Sequence, residues 1–259
     1  NITRVCERRL SATGTTPLMV AAAYFRDSGQ RPTKVAIFQE QSDWGIEEGT
    51  MWKEKAPEFG YEIVYYGEYA PRTADYSEMI LKAKAAGAEA LFSLPSPPDG
   101  IAMIKQMKEL GWSPKFILMI RAPEGVTWSE TMGKDGDFVT IFNGWHYSET
   151  FPGVAELNAA FQAKFGRPAD LLSGPAYACI QILAQAIEAA GTLDRDAIRD
   201  AIAATDMMTV VGPVTFNADG TGNVLNPLTQ WIDGKLELVY PFDMASAKFV
   251  YPAPPFDER

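Results

Sequence analysis

A doubly wound α/β fold is predicted, on three observations. Near-continuous apolar runs recur along the first 145 residues, as in KVAIFQE (34–40), EALFSL (89–94) and KFILMI (115–120). Amphipathic helical segments of about three turns separate them, and the alternation repeats at a period of roughly 25–28 residues. Apolar strands with no polar face belong to parallel sheets covered on both sides by helices.

The elements follow in order. The chain opens at NITRVCERRL, which reads as a strand already under way, and 15–28 is helical, with Leu18, Ala21, Ala22 and Phe25 on one face. Strand 34–40 leads to a helix over 45–59 that stops at Gly60. Strand 61–69 follows. Asp75 is expected to cap a helix over 76–86 ended by Gly87. After strand 89–94, the turn LPSPPDG carries three prolines, and Asp99 is expected to cap the next helix, over 100–110. Met103 and Met107 fall at helical spacing and read as core. Strands 115–120 and 137–145 complete this part.

The second part changes character. Helices are expected over 154–165, 175–190 and 194–204, the last capped by Thr192. Short strands follow in 211–223 and 228–241, with turns at Asp219-Gly220 and Asp233-Gly234. These helices have too few strands to cover them, so a sheet segment is expected to be missing. Together with the opening strand, this predicts a fragment or a cleaved chain.

Composition excludes several classes. The chain of 259 residues is 47% hydrophobic and carries a net charge of −10. An acidic protein repels nucleic-acid phosphates, and no apolar run is long enough to span a bilayer. Cys6 and Cys179 are isolated, without CxxC spacing. The only histidine, His146, reads as structural or as a rim residue, weighed against a general acid. No Walker, GxGxxG, HExxH or GxSxG pattern appears, so neither a cofactor nor a metal is expected, and an enzyme has little to stand on.

In doubly wound sheets ligands collect at the carboxyl ends of the strands, and three such ends stand out, one of them the LPSPPDG turn after 89–94. In FQEQSDWG (38–45), Trp44 precedes the glycine that opens a helix and offers a flat face to a ligand, or else packs in the core. In MIRAPEGVTW (119–128), Arg121 and Glu124 follow an apolar strand. Glu124 either takes a ligand ammonium in a charge-assisted hydrogen bond or is a surface carboxylate paired with Arg121.

The stretch KVAIFQEQSDWGIEEGTMWKEKAPEFGYEIVYYGEYAPRTADYSEMILKAKAAGAEALF resembles the leucine/isoleucine/valine-binding-protein family of type I periplasmic solute-binding proteins of ABC transporters. IKQMKELGWSPKFI, APEGV, PAYACIQILAQAIEAAG and VVGPVTFNADGTG extend the resemblance in the family's order. It implies two Rossmann-like lobes joined by a hinge and closing on a ligand. Residues 5–146 would form the second lobe and 147–225 a late part of an incomplete first lobe. Residues 226–259 would cross the hinge and return. The missing first-lobe segment, which in the family holds the ligand carboxylate, would be present as a separate fragment. Trp44 falls where amino-acid-binding members carry an aromatic, and Glu124 where they carry the carboxylate for the ammonium. Ser96 and Pro97 fall where leucine-type members have paired tyrosines, a departure from branched-chain binders. Arg121 beside the cleft favours a carboxylate-bearing or aromatic acid.

The expected function is a periplasmic binding protein, monomeric when full-length, that delivers an amino acid or similar small organic ligand to the membrane permease of an ABC importer. The rivals are a ligand-sensing regulator or receptor domain of the same fold and a small amide or ester hydrolase using His146.

Overall fold

Residues 31–125, 127–142 and 144–259 are described by a computed structural model of the chain. The helix expected over 15–28, the opening strand and Cys6 lie outside them. The described residues fall into two compact units, 31–142 with 228–259, and 144–227. Among them no helix is long and apolar enough to cross a membrane.

The larger unit is a seven-stranded sheet. Its parallel part comprises β1 (Lys34–Glu40), β2 (Glu62–Tyr69), β3 (Ala90–Ser93), β4 (Phe116–Met119) and β5 (Val139–Phe142). Two later strands, β9 (Leu228–Ile232) and β10 (Lys235–Tyr240), extend it antiparallel beyond β5. The order is β10-β9-β5-β4-β3-β1-β2, a doubly wound arrangement. Alternate strand residues feed two cores: Ala36, Phe38, Leu91, Ile117 and Met119 on one face, and Val35, Ile37, Phe92, Phe116 and Leu118 on the other. Trp52 of α1 (Asp43–Lys55) packs edge-on against Phe92 on the second face. On the first face lie α2 (Ser77–Ala85) and α3 (Pro97–Glu109), with Met103 and Met107 fully buried as expected. A short α4 (Thr127–Met132) precedes β5.

Several expectations are corrected. The helix expected over 45–59 begins at Asp43, so Trp44 stands in its first turn rather than before it; after Lys55 it tightens to a 3-10 turn that ends on left-handed Gly60. α3 begins at Pro97, not 100, because a proline lacks only an N–H that the first helical turn leaves unpaired anyway. Ser96 therefore holds the N-cap position, and Asp99 is an interior residue of the first turn. The strand expected over 137–145 shrinks to β5, since Phe138 takes a positive φ of 63°. α2 begins at Ser77 with Tyr76, not Asp75, in the N-cap position; Asp75 stands one residue earlier, and its carboxylate accepts the Ser77 N–H at 2.9 Å. The Asp233-Gly234 turn joins β9 to β10 with both residues at positive φ, the geometry of a tight two-residue hairpin.

The smaller unit contains α5 (Val154–Phe165), α6 (Ser173–Ala190) and α7 (Arg195–Ala203), with a three-stranded antiparallel sheet of β6 (Asp206–Thr209), β7 (Gly212–Phe216) and β8 (Gly222–Asn223). Its core gathers on Trp145, whose indole N–H donates to Val210 O at 2.8 Å. Gly174 faces that ring so closely that a Cβ would lie 2.3 Å from it. The cap of α7 is Asp194, accepting from the N–H groups of Asp196 and Ala197; Thr192 instead accepts from the Asp194 N–H.

Candidate functional site

The strand order fixes where a crevice opens. From β1 the chain crosses to β2 on one side, and from β3 to β4 on the other, so the loops leaving β1 and β3 diverge at their carboxyl ends. The β1 end carries Glu40, then Ser42, whose hydroxyl accepts the Gly45 N–H at 3.2 Å and caps α1. A Cβ on residue 45 would lie 2.3 Å from Glu40 O, so only glycine lets the helix start this close to the strand. That approach sets Trp44 beside the strand end. Its ring is half-buried, and its indole nitrogen is buried without a hydrogen-bond partner.

At the β4 end the backbone is strained. Arg121 has φ 76° and ψ −58°, and the Ala122 N–H donates to Ile120 O at 3.1 Å, closing a positive-φ γ-turn around it. Such a conformation costs a non-glycine residue about 1–3 kcal/mol and persists only where neighbours enforce it. Three neighbours do so here. Glu124 Oε1 accepts the Arg121 N–H at 2.8 Å, the Trp231 indole donates to Pro123 O at 2.8 Å, and Gly100 lets α3 close onto Ala122. Glu124 itself is half-buried. Burial raises its carboxyl pKa, and the Arg121 N–H and guanidinium pull in the opposite direction.

The Arg121 side chain turns back across the rim. Its guanidinium lies 5.1 Å from the Trp44 ring centroid, and Nη1 is 3.5 Å from Glu40 Oε1. Arg121 is 43% exposed at its side chain, whereas Glu40 is 3% exposed as a residue. The second Glu40 oxygen, Oε2, is buried with no hydrogen-bond partner.

Trp44, Arg121 and Glu124 are thus brought together. Ser96 and Pro97 belong to another cluster: the Ser96 hydroxyl donates to Asp99 Oδ2 at 2.7 Å, which also accepts the Arg72 N–H at 3.2 Å, and Pro97 is exposed on the first turn of α3. Beneath the rim, the Tyr69 and Tyr76 rings meet edge-on at 5.3 Å, and both hydroxyls are buried without a hydrogen-bond partner. Burial pushes both phenols far up. Glu40 is the next contributor for Tyr69, and Asp99 for Tyr76.

Sequence reasoning did not single out Glu40, Tyr69 or Tyr76. The one signal for Glu40 was its place as the last residue of an apolar strand. His146 lies in the smaller unit; it is buried, its N–H donates to Glu149 Oε1 at 2.9 Å, and Nδ1 sits 2.7 Å from the Ser148 hydroxyl. Those contacts suit a structural role. Among the described residues no group of three or more metal-ligating side chains occurs. Two carboxylates, a guanidinium and an indole at one crevice suit noncovalent recognition of a small charged molecule.

The family described as periplasmic binding protein matches residues 6–235. A Leu/Ile/Val-binding protein homolog of Brucella abortus is 26% identical over 228 residues, covering 83% of this chain and 56% of that protein. The chain thus spans about half the length of the curated relatives it matches. A leucine binding protein from Thermotoga maritima superposes with a TM-score of 0.75 at 18% identity, over 87% of this chain and 66% of that one. A solute binding protein of an ABC transporter from R. palustris, in complex with benzoate, gives 0.73 at 15% identity, over 92% and 64%. At these identities the two structures speak for the fold alone. The match over residues 6–235 decides membership: the chain belongs to the periplasmic binding protein family.

Proposed function

We propose that this member of the periplasmic binding protein family captures a small organic ligand carrying an amine, of the amino-acid type, outside the cytoplasm for an ABC importer. The observation that carries this reading is the meeting of Trp44, Arg121 and Glu124 at the carboxyl ends of a doubly wound sheet. Trp44 would cover the apolar part of the ligand, and Glu124 would fix the amine. The turn at Ser96 and Pro97 would form a wall. The assignment of 5–146 and 226–259 to a second lobe, and of 147–225 to a first, belongs to the same reading. Capture needs no bond chemistry: a ligand that gains contacts in one conformation shifts the population toward it by its differential affinity.

A thermal-shift panel of amino acids and aromatic acids tests this, because a ligand that binds only the folded state raises its stability by mass action. Glu124→Gln is expected to weaken amine-bearing ligands by about 2 kcal/mol, the worth of a charge-assisted hydrogen bond. Unchanged calorimetric affinity would remove Glu124 from the site.

A second reading has support in the exposed Arg121 guanidinium and in the benzoate-bound relative. In it the ligand is an aromatic or other carboxylic acid, with Arg121 taking the carboxylate. Responses to aromatic acids and none to amino acids would favour it.

A further inference from the structure

We propose that Glu40 and the Trp44 ring form a cation-recognising corner of the ligand site, held in this structure by the Arg121 guanidinium as an internal stand-in for the ligand ammonium. The inference deepens the amino-acid reading and rests on it for the natural ligand.

Three observations carry it. Glu40 is buried, yet Oε2 has no hydrogen-bond partner, while Oε1 lies 3.5 Å from Arg121 Nη1. A buried carboxylate left this way is costly unless a donor completes it. The guanidinium touching it also faces an indole at 5.1 Å, within the range of a cation–π attraction. An aromatic face and a carboxylate acting on one cation are what an ammonium site requires. Lastly, the occupant is displaceable. The Arg121 side chain is 43% exposed, and its backbone is fixed independently of the guanidinium, by the γ-turn and the Glu124 Oε1 bond.

The corner therefore adds a second carboxylate to the amine site. Beside Glu124, whose Oε1 also holds the Arg121 backbone, Glu40 keeps an oxygen for a donor that enters. An ammonium reaching the corner gains that oxygen and the indole face, and the displaced guanidinium moves out into solvent. A ligand offering only a carboxylate gains nothing from Glu40 and is repelled by it.

n-Propylammonium chloride probes the corner without the natural ligand, titrated by calorimetry against sodium chloride at matched ionic strength. The indole N–H shift of Trp44, assigned with W44F, reports where the cation sits. Arg121→Ala should bind the probe saturably and roughly tenfold more tightly than the wild-type chain, the worth of one charge-assisted hydrogen bond. Arg121→Gly, which adopts φ 76° freely, should behave alike. Adding Glu40→Gln should abolish the gain. Should that variant melt, Trp44→Leu in the Arg121→Ala background should reduce it instead.

Equal affinity in the wild-type chain and both Arg121 variants overturns the proposal. So does a gain that survives both Glu40→Gln and Trp44→Leu. The amino-acid reading fails separately: an amino-acid panel without response, beside propylammonium binding that depends on Glu40, sinks that reading and leaves the corner standing.

Discussion

The sheet unit and the helical unit of this chain treat their apolar residues differently. In the larger unit β1, β3, β4 and β5 are buried along nearly their whole length, and α1 buries Trp52 completely against Phe92. In the smaller unit α6 is apolar nearly all round, yet Ile180 is 65% exposed and Tyr177 stands half out of the surface. Phe165, Leu172, Leu193 and Met208 of the same unit are exposed as well. A helix that is apolar on all sides is built to be buried. The larger unit encloses its own core, and the smaller one offers apolar surface that none of the described residues covers.

Substitutions that separate the two regimes follow from this, beginning with the largest. Trp52→Ala empties a fully enclosed site and should cost about 3–5 kcal/mol in denaturant unfolding. A much smaller loss would mean that the sheet unit is packed no better than the helical one. Next comes Glu48 of α1, buried with an unpaired Oε1, its carboxyl pushed up to about 8 by burial and secondarily by Glu47. Its folded pKa lies above the ordinary 4.5, so the folded state holds the proton more tightly. Stability should be greatest below about 4.5 and fall by up to roughly 1.4 kcal/mol per pH unit until about pH 8. Glu48→Gln should flatten that slope in pH-dependent melts, and an unchanged slope would assign it to another group.

In the smaller unit the effects shrink. Asp194→Ala removes both N–H caps of α7 and should cost about 1 kcal/mol, read as lost helicity and a lowered melting midpoint. Ile180→Ser should change stability by no more than about 0.5 kcal/mol, as exposed positions do. A loss comparable to that of Trp52→Ala would show that Ile180 is covered in solution and erase the contrast.

The same contrast governs what could be read from the sequence. β1, β3 and β4 were legible because a doubly covered strand must be continuously apolar, and that pattern is dense over four to seven residues. β6 and α4 escaped, being four and six residues long with mixed polarity. Pro97 and Pro98 were read as a stiff loop because prolines mark both turns and helix starts. Trp44, Arg121 and Glu124 were legible through one topological rule, that ligands gather at strand ends. Glu40 was not, since burial and pairing with a residue so distant in the sequence leave no local trace. Nor did anything announce the γ-turn, because positive φ is signalled by glycine or asparagine and here falls on an arginine.

β9 and β10 lie far along the chain, yet they close the sheet against β5. Trp231 reaches back to Pro123, and the Arg259 guanidinium donates to the carbonyls of Asp135 and Asp137. In sequence, the smaller unit is therefore inserted between the two segments that make up the larger one. On a ribosome, β5 emerges with its outer edge bare and waits through all of 144–227 before its neighbour is synthesised. Pairings of such long sequence separation form late, so for that interval the nascent chain displays an unpaired strand edge open to misassociation.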